Sequence, residues 1–174
     1  MKKRIVTATV FNHTGVLNRV TGLFTKRQFN IESITVGHTE TEGVSKMTFV
    51  VSEEDDQQIE QLIKQLNKQI DVLKVSDITG QAIVARELAL IKVLSNGQTR
   101  AEINGIVEPF RATIIDICRD SVTVQVTGDA EKIEAMIDLL KPYGIKEITR
   151  TGLTAFARGS QKSVTDFKKY SLLT

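Results

Sequence analysis

The chain has 174 residues, 41% hydrophobic and 25% charged, with 23 basic and 21 acidic side chains and a formal charge of +2. This is a globular composition, which excludes a disordered or fibrous polymer, and the interspersed charges argue against a nucleic-acid partner. No apolar run reaches the ~18–20 residues that span a bilayer, and Met1-Lys2-Lys3-Arg4 leads into a strand-like run rather than a signal-peptide core. A cytoplasmic protein with no membrane partner is expected.

Hydrophobic period switches between two and 3.6 in a repeating order. Ile5–Phe11 reads as a strand, and Val16, Leu17, Val20, Leu23 and Phe24 form a helical stripe after Asn12-His13-Thr14-Gly15. Ile31–Thr39 and Val44–Val51 read as strands joined by a hairpin loop at Glu40-Thr41-Glu42-Gly43. Ser52 is the expected N-cap of a helix with Glu53, Glu54 and Asp55 in its first turn and an apolar stripe at Ile59, Leu62, Ile63 and Leu66. Ile70–Ile78 closes this unit as a strand.

The order then repeats. Asp77–Glu87 reads as a connector, Leu88–Leu94 as a strand, and Thr99 with Glu102 as a capping box for a helix ending near Pro109. Ala112–Cys118 and Ser121–Thr127 are strands; Cys118, the lone cysteine, is expected to be a small buried hydrophobe. Asp129 is the expected cap of a helix that Pro142 stops, and Ile145–Phe156 reads as one last strand. The fold expected is α+β: two ferredoxin-like βαββαβ domains, residues 1–79 and 80–159, each a four-stranded antiparallel sheet with two helices on one face, followed by a polar tail at 160–174. Units this small are marginal alone, and their open sheet faces and edges predict a homodimer.

His13 and His38 stand in no metal-ligand spacing, so no metal site is expected, and no phosphate loop or nucleophile elbow is present. Asn12 to Leu17 is the segment with binding chemistry. Gly15 permits close backbone approach, the helix start offers N–H groups to a carboxylate, and Asn12 can both donate and accept. The plain alternative, a βα turn capped by Thr14, remains open at this point.

The polar residue and glycine before the first helix resemble the ACT domain, an amino-acid-sensing module. Gly22-Leu23-Phe24 followed by Phe29-Asn30-Ile31-Glu32-Ser33-Ile34, then Arg86-Glu87-Leu88-Ala89-Leu90-Ile91-Lys92-Val93, then Arg150-Thr151-Gly152, are together similar to the signatures of acetolactate synthase small subunits. Gln28 departs from that family's common glycine, and Thr14 stands where many ACT domains carry proline. The resemblance implies a non-catalytic regulatory subunit with no catalytic residue and no cofactor of its own, paired with a catalytic large subunit that holds thiamine diphosphate, FAD and Mg²⁺. It also implies feedback inhibition by valine, with Asn12, Gly15, Val16 and Leu17 of one protomer facing Asn30 and Ile31 of another. The alternative within this class is an ACT regulator of another amino-acid-pathway enzyme.

Overall fold

A computed structural model describes residues 2–159, so the expected tail at 160–174 lies outside the described residues. The first unit runs β1 (Lys3–Phe11), α1 (Val16–Lys26), β2 (Ile31–His38), β3 (Val44–Ser52), α2 (Asp56–Leu66) and β4 (Val72–Asp77). The second runs β5 (Ile83–Leu94), α3 (Thr99–Val107), β6 (Thr113–Ile117), β7 (Ser121–Gly128), α4 (Ala130–Leu140), β8 (Ile145–Arg150) and β9 (Thr154–Ala157). Both are ferredoxin-like: the sheets are antiparallel, ordered β2-β3-β1-β4 and β6-β7-β5-β8.

Alternation along the strands sends one set of side chains to the helices. Val6, Ala8 and Val10 of β1 and Met47, Phe49 and Val51 of β3 pack with Val20, Phe24, Leu62 and Leu66 in the first core. Phe24 and Phe49 stack at 4.6 Å between ring centroids. Each fully buried side chain of this size contributes about 1.5–3 kcal/mol. Ala89, Ile91, Val93 and Val122, Val124, Val126 form the second core with Ile133, Met136 and Leu140.

α1 ends in a Schellman arrangement: Phe29 N–H donates to the Phe24 carbonyl at 2.9 Å, Gln28 N–H donates to Thr25 at 3.0 Å, and the Phe24 and Phe29 rings meet edge to face. Gln28 therefore sits at φ +60°, a conformation that glycine adopts without strain. The departure from glycine leaves the turn intact at the expense of a left-handed side-chain residue.

Several boundaries differ from expectation. Asp55, not Ser52, caps α2, its carboxylate accepting from Gln57 N–H at 2.8 Å; β3 extends through Ser52, whose hydroxyl bonds Glu32 instead. At α3 the Thr99–Glu102 box is absent. Asn96 takes over, its side chain accepting from the N–H groups of Gln98 and Thr99, while its own N–H donates to the Thr99 hydroxyl. Asp129 does cap α4, accepting from Lys132 N–H. The connector expected through Glu87 is half strand, because β5 begins at Ile83; and the single final strand is two, broken where Gly152 turns at φ +83°. Cys118 is exposed rather than buried, because it follows an edge strand with a register shift and leaves its sulfur 3.6 Å from Asp116.

β9 pairs with the first four residues of β5, Ile83 to Arg86, and the bend before it laps onto the helix-free face of the first sheet. Thr35 donates to the Leu153 carbonyl at 3.0 Å, and a side chain at Gly152 would meet Ser33 at 3.1 Å.

Candidate functional site

The loop between β1 and α1 is fixed by backbone bonds from three directions. Phe11 N–H donates to Asp71 and Asn12 N–H to Gly43, both at 2.8 Å, and Val16 N–H donates to His13 at 3.3 Å. Gly15, not Thr14, is the N-cap. It adopts φ +84°, ψ −5° and no side-chain bond caps the helix there, leaving the start of α1 to present N–H groups outward. Thr14 loses the role because a left-handed cap brings the chain in by a route open to glycine and strained for threonine.

A charged cluster backs this loop. Asp71 is almost fully buried where β4 begins, and its carboxylate pairs with the Arg19 guanidinium and stands 3.5 Å from His13 Nδ1. The His13 ring stacks on Phe11 at 5.7 Å. Arg19, one turn along α1, lies with Nη1 3.3 Å from where a Gly15 side chain would begin. Sequence reasoning missed Arg19 and Asp71. Arg19 was findable, since i+4 from a helix cap shares its face; Asp71 gave no local signal.

Of the six residues expected to bind an effector, four are brought together. Asn12 is exposed in the loop, Gly15 caps the helix, Val16 is buried, and Leu17 is 46% exposed despite its apolar side chain. Asn30 is exposed just before β2 and Ile31, its first residue, packs partly on the core. These two are far from the loop in the same chain. Phe11 lies opposite Val44 whereas Ile31 lies opposite Val51, seven residues along β3, or roughly 23 Å at strand rise.

The two later signature stretches, in contrast, bind each other. Arg150 forks onto Glu87 (Nε to Oε1 2.7 Å, Nη2 to Oε2 2.9 Å) and reaches Glu134 at 2.6 Å; Leu88 N–H donates to the Thr151 hydroxyl at 3.1 Å. Glu87 is buried, and its hydrogen bonds hold the Arg150 guanidinium protonated well above its ordinary range.

A family model described as the AHAS small-subunit-like ACT domain matches residues 7–74, and one described as the small subunit of acetolactate synthase matches residues 86–159. The acetolactate synthase small subunit of Bacillus subtilis is 68% identical over 98% of this chain and 99% of its own. The chain belongs to the acetolactate synthase small-subunit family. The small subunit of Aquifex aeolicus is 48% identical over 91% of this chain and 82% of its own. A crystal structure of the acetolactate synthase small subunit from Thermotoga maritima superposes with TM-score 0.84 at 40% identity, covering 92% of this chain and all of that one. Membership makes the protein a non-catalytic regulatory subunit whose partner is a catalytic acetolactate synthase subunit. Among the described residues, no helix is long and apolar enough to cross a membrane.

Proposed function

We propose that this subunit raises the activity of its catalytic partner and makes it sensitive to feedback inhibition by valine, bound where two protomers meet. The carrying observation is the separation of the six residues. Asn12, Gly15, Val16 and Leu17 stand at one end of the first sheet and Asn30 and Ile31 at the other, so one chain cannot close a site from both sets. β2 is an edge strand with Val36 half exposed, and two copies joined antiparallel through that edge would bring each loop toward the other's Asn30. An isologous homodimer supplies two such sites.

In this reading the helix N–H groups and nearby Arg19 meet the effector carboxylate, and the two asparagines meet its ammonium group. Leu17 and Ile31 cover the aliphatic side chain, with Val16 buried in the core behind the loop. Thiamine diphosphate, FAD and Mg²⁺ belong to the catalytic subunit in this scheme. Valine inhibits only by the difference in its affinity for the activating and non-activating arrangements of the complex.

The test is reconstitution with the catalytic subunit, assayed with and without valine. Stimulation by the wild-type chain together with inhibition by valine is expected, and Gly15→Asp is expected to abolish inhibition while leaving stimulation largely intact. Unchanged valine sensitivity in Gly15→Asp removes the site assignment. Absence of any stimulation removes the function.

A further inference from the structure

The helix-free face of the first sheet carries two lysines that nothing in the effector site uses. Thr9 of β1 pairs with Lys46 of β3 on one side and Lys74 of β4 on the other, so both lysines project from the same face. Their backbones are two strand spacings apart, roughly 10 Å, within reach of each other's flexible stems. Lys46 is half-buried, and among the described residues neither ammonium forms an ion pair. Burial lowers the pKa of Lys46, Glu40 opposes that from the rim, and the charge of Lys74 lowers it further.

These lysines stand in a cleft of about 800 Å³. Its floor includes Thr7, Thr48 and Ser76, and its far wall is the Thr151–Thr154 bend of the second unit. That volume suits a small molecule. Two ammonium groups in a concave, hydroxyl-lined space, one of them partly desolvated, face a single carboxylate, Glu40 at the rim, and so leave a net positive potential that an anion would relieve.

We propose that this cleft binds a small anion of at least two negative charges, phosphate- or carboxylate-based, shared between Lys46 and Lys74 and separate from the effector loop. The two ammonium groups act as point charges that converge on one dianion or grip the two ends of a longer one. The Thr48 and Ser76 hydroxyls add donors, whereas that of Thr7 donates to the Ser76 carbonyl. Because the floor belongs to the first sheet and the wall to the second unit, occupancy ties the two together.

The test is calorimetric titration of the full-length protein with sodium pyrophosphate and, separately, with citrate at constant ionic strength. The two arms distinguish a phosphate from a carboxylate ligand. Saturable binding at one site per chain by at least one of them is expected. Lys46→Gln and Lys74→Gln are each expected to weaken it at least fivefold, with Lys26→Gln on α1 as the unaffected control. Lysine side-chain NMR signals of the wild-type chain provide a readout independent of any variant, and those of Lys46 and Lys74 are expected to shift together along the titration. No saturable binding of either anion, equal weakening in Lys26→Gln, or signals at Lys46 and Lys74 that stay fixed would each overturn the proposal.

Discussion

Replacing Gly15 by alanine isolates backbone geometry from chemistry at the effector loop. The native φ of +84° costs a residue with a side chain about 1–2 kcal/mol. The added methyl meets only the flexible end of Arg19 at 3.3 Å, which can give way, so strain dominates. If the loop holds its shape, Gly15→Ala loses that 1–2 kcal/mol as stability, read as a lower urea midpoint at unchanged slope. If the loop relaxes, the same energy appears as a loss of about 5- to 30-fold in valine affinity, at 1.4 kcal/mol per tenfold. Gly15→Asp behaves differently. Aspartate tolerates left-handed backbone better and suits a helix N-terminus, so its stability stays nearer wild type while its carboxylate competes for the effector's position. Urea unfolding of both variants, beside valine titration of each reconstituted complex, separates the two effects. Wild-type midpoint and wild-type valine response in Gly15→Ala would refute the reasoning, because the strain would then appear in neither quantity.

Three further outcomes are expected. Gln28→Gly relieves a left-handed side-chain residue at the end of α1, and after the entropy cost of glycine it is expected to raise stability by about 0.5–1 kcal/mol in urea unfolding. Arg150→Met leaves the buried Glu87 carboxylate without its fork and is expected to cost about 3–5 kcal/mol, toward the lower end because Arg150 is one-third exposed. Arg150→Lys is expected to recover only part of this, since an ammonium cannot bridge both carboxylate oxygens; equal stability of all three proteins by urea midpoint would contradict the account. The Glu32 carboxyl is held below its ordinary value of 4.5, first by the Ser52 hydroxyl and then by Lys3. A depressed carboxyl contributes stability above its unfolded value and loses it as pH falls through the folded one. The melting-temperature gap between wild type and Glu32→Gln is therefore expected to close as pH drops from about 6 to about 3; a gap constant with pH would count against it.

Elements whose periodicity is local were legible in the sequence. The apolar stripes of α1 and α2, apart from exposed Leu17, the β2–β3 hairpin and the Asp129 cap appear where their spacing put them. Caps failed where several candidates stood together. In Ser52-Glu53-Glu54-Asp55 the pairing of β3 with β1, which runs through Ser52↔Lys3, decides which residue is free to start the helix. Near α3, Asn96 outcompeted Thr99 because an Asx side chain reaches two N–H groups at once. Exposure of Cys118 and the break at Gly152 depend on which strand is an edge and where the second unit touches the first, and neither is encoded within a window of ten residues. The same holds for the site. Asn12 and Gly15 announced themselves through residue type, while Asp71 reaches Arg19 from 52 residues away. The lysine pair was not read from the sequence: Lys46 and Lys74 each alternate with core residues, but only sheet order makes them neighbours across Thr9.

β5 runs unbroken for 12 residues, roughly 40 Å at strand rise, yet its first four residues and its last eight serve different neighbours. The later eight residues are the centre of the second sheet, flanked by β7 and β8, and the first four carry β9, whose leading bend rests on Thr35 and Ser33 of β2. A hydrogen-bonded strand resists bending far more than a loop does. The edge strand β2 of the first unit and the centre of the second sheet are thus joined through one continuous hydrogen-bonded strand rather than through a loop.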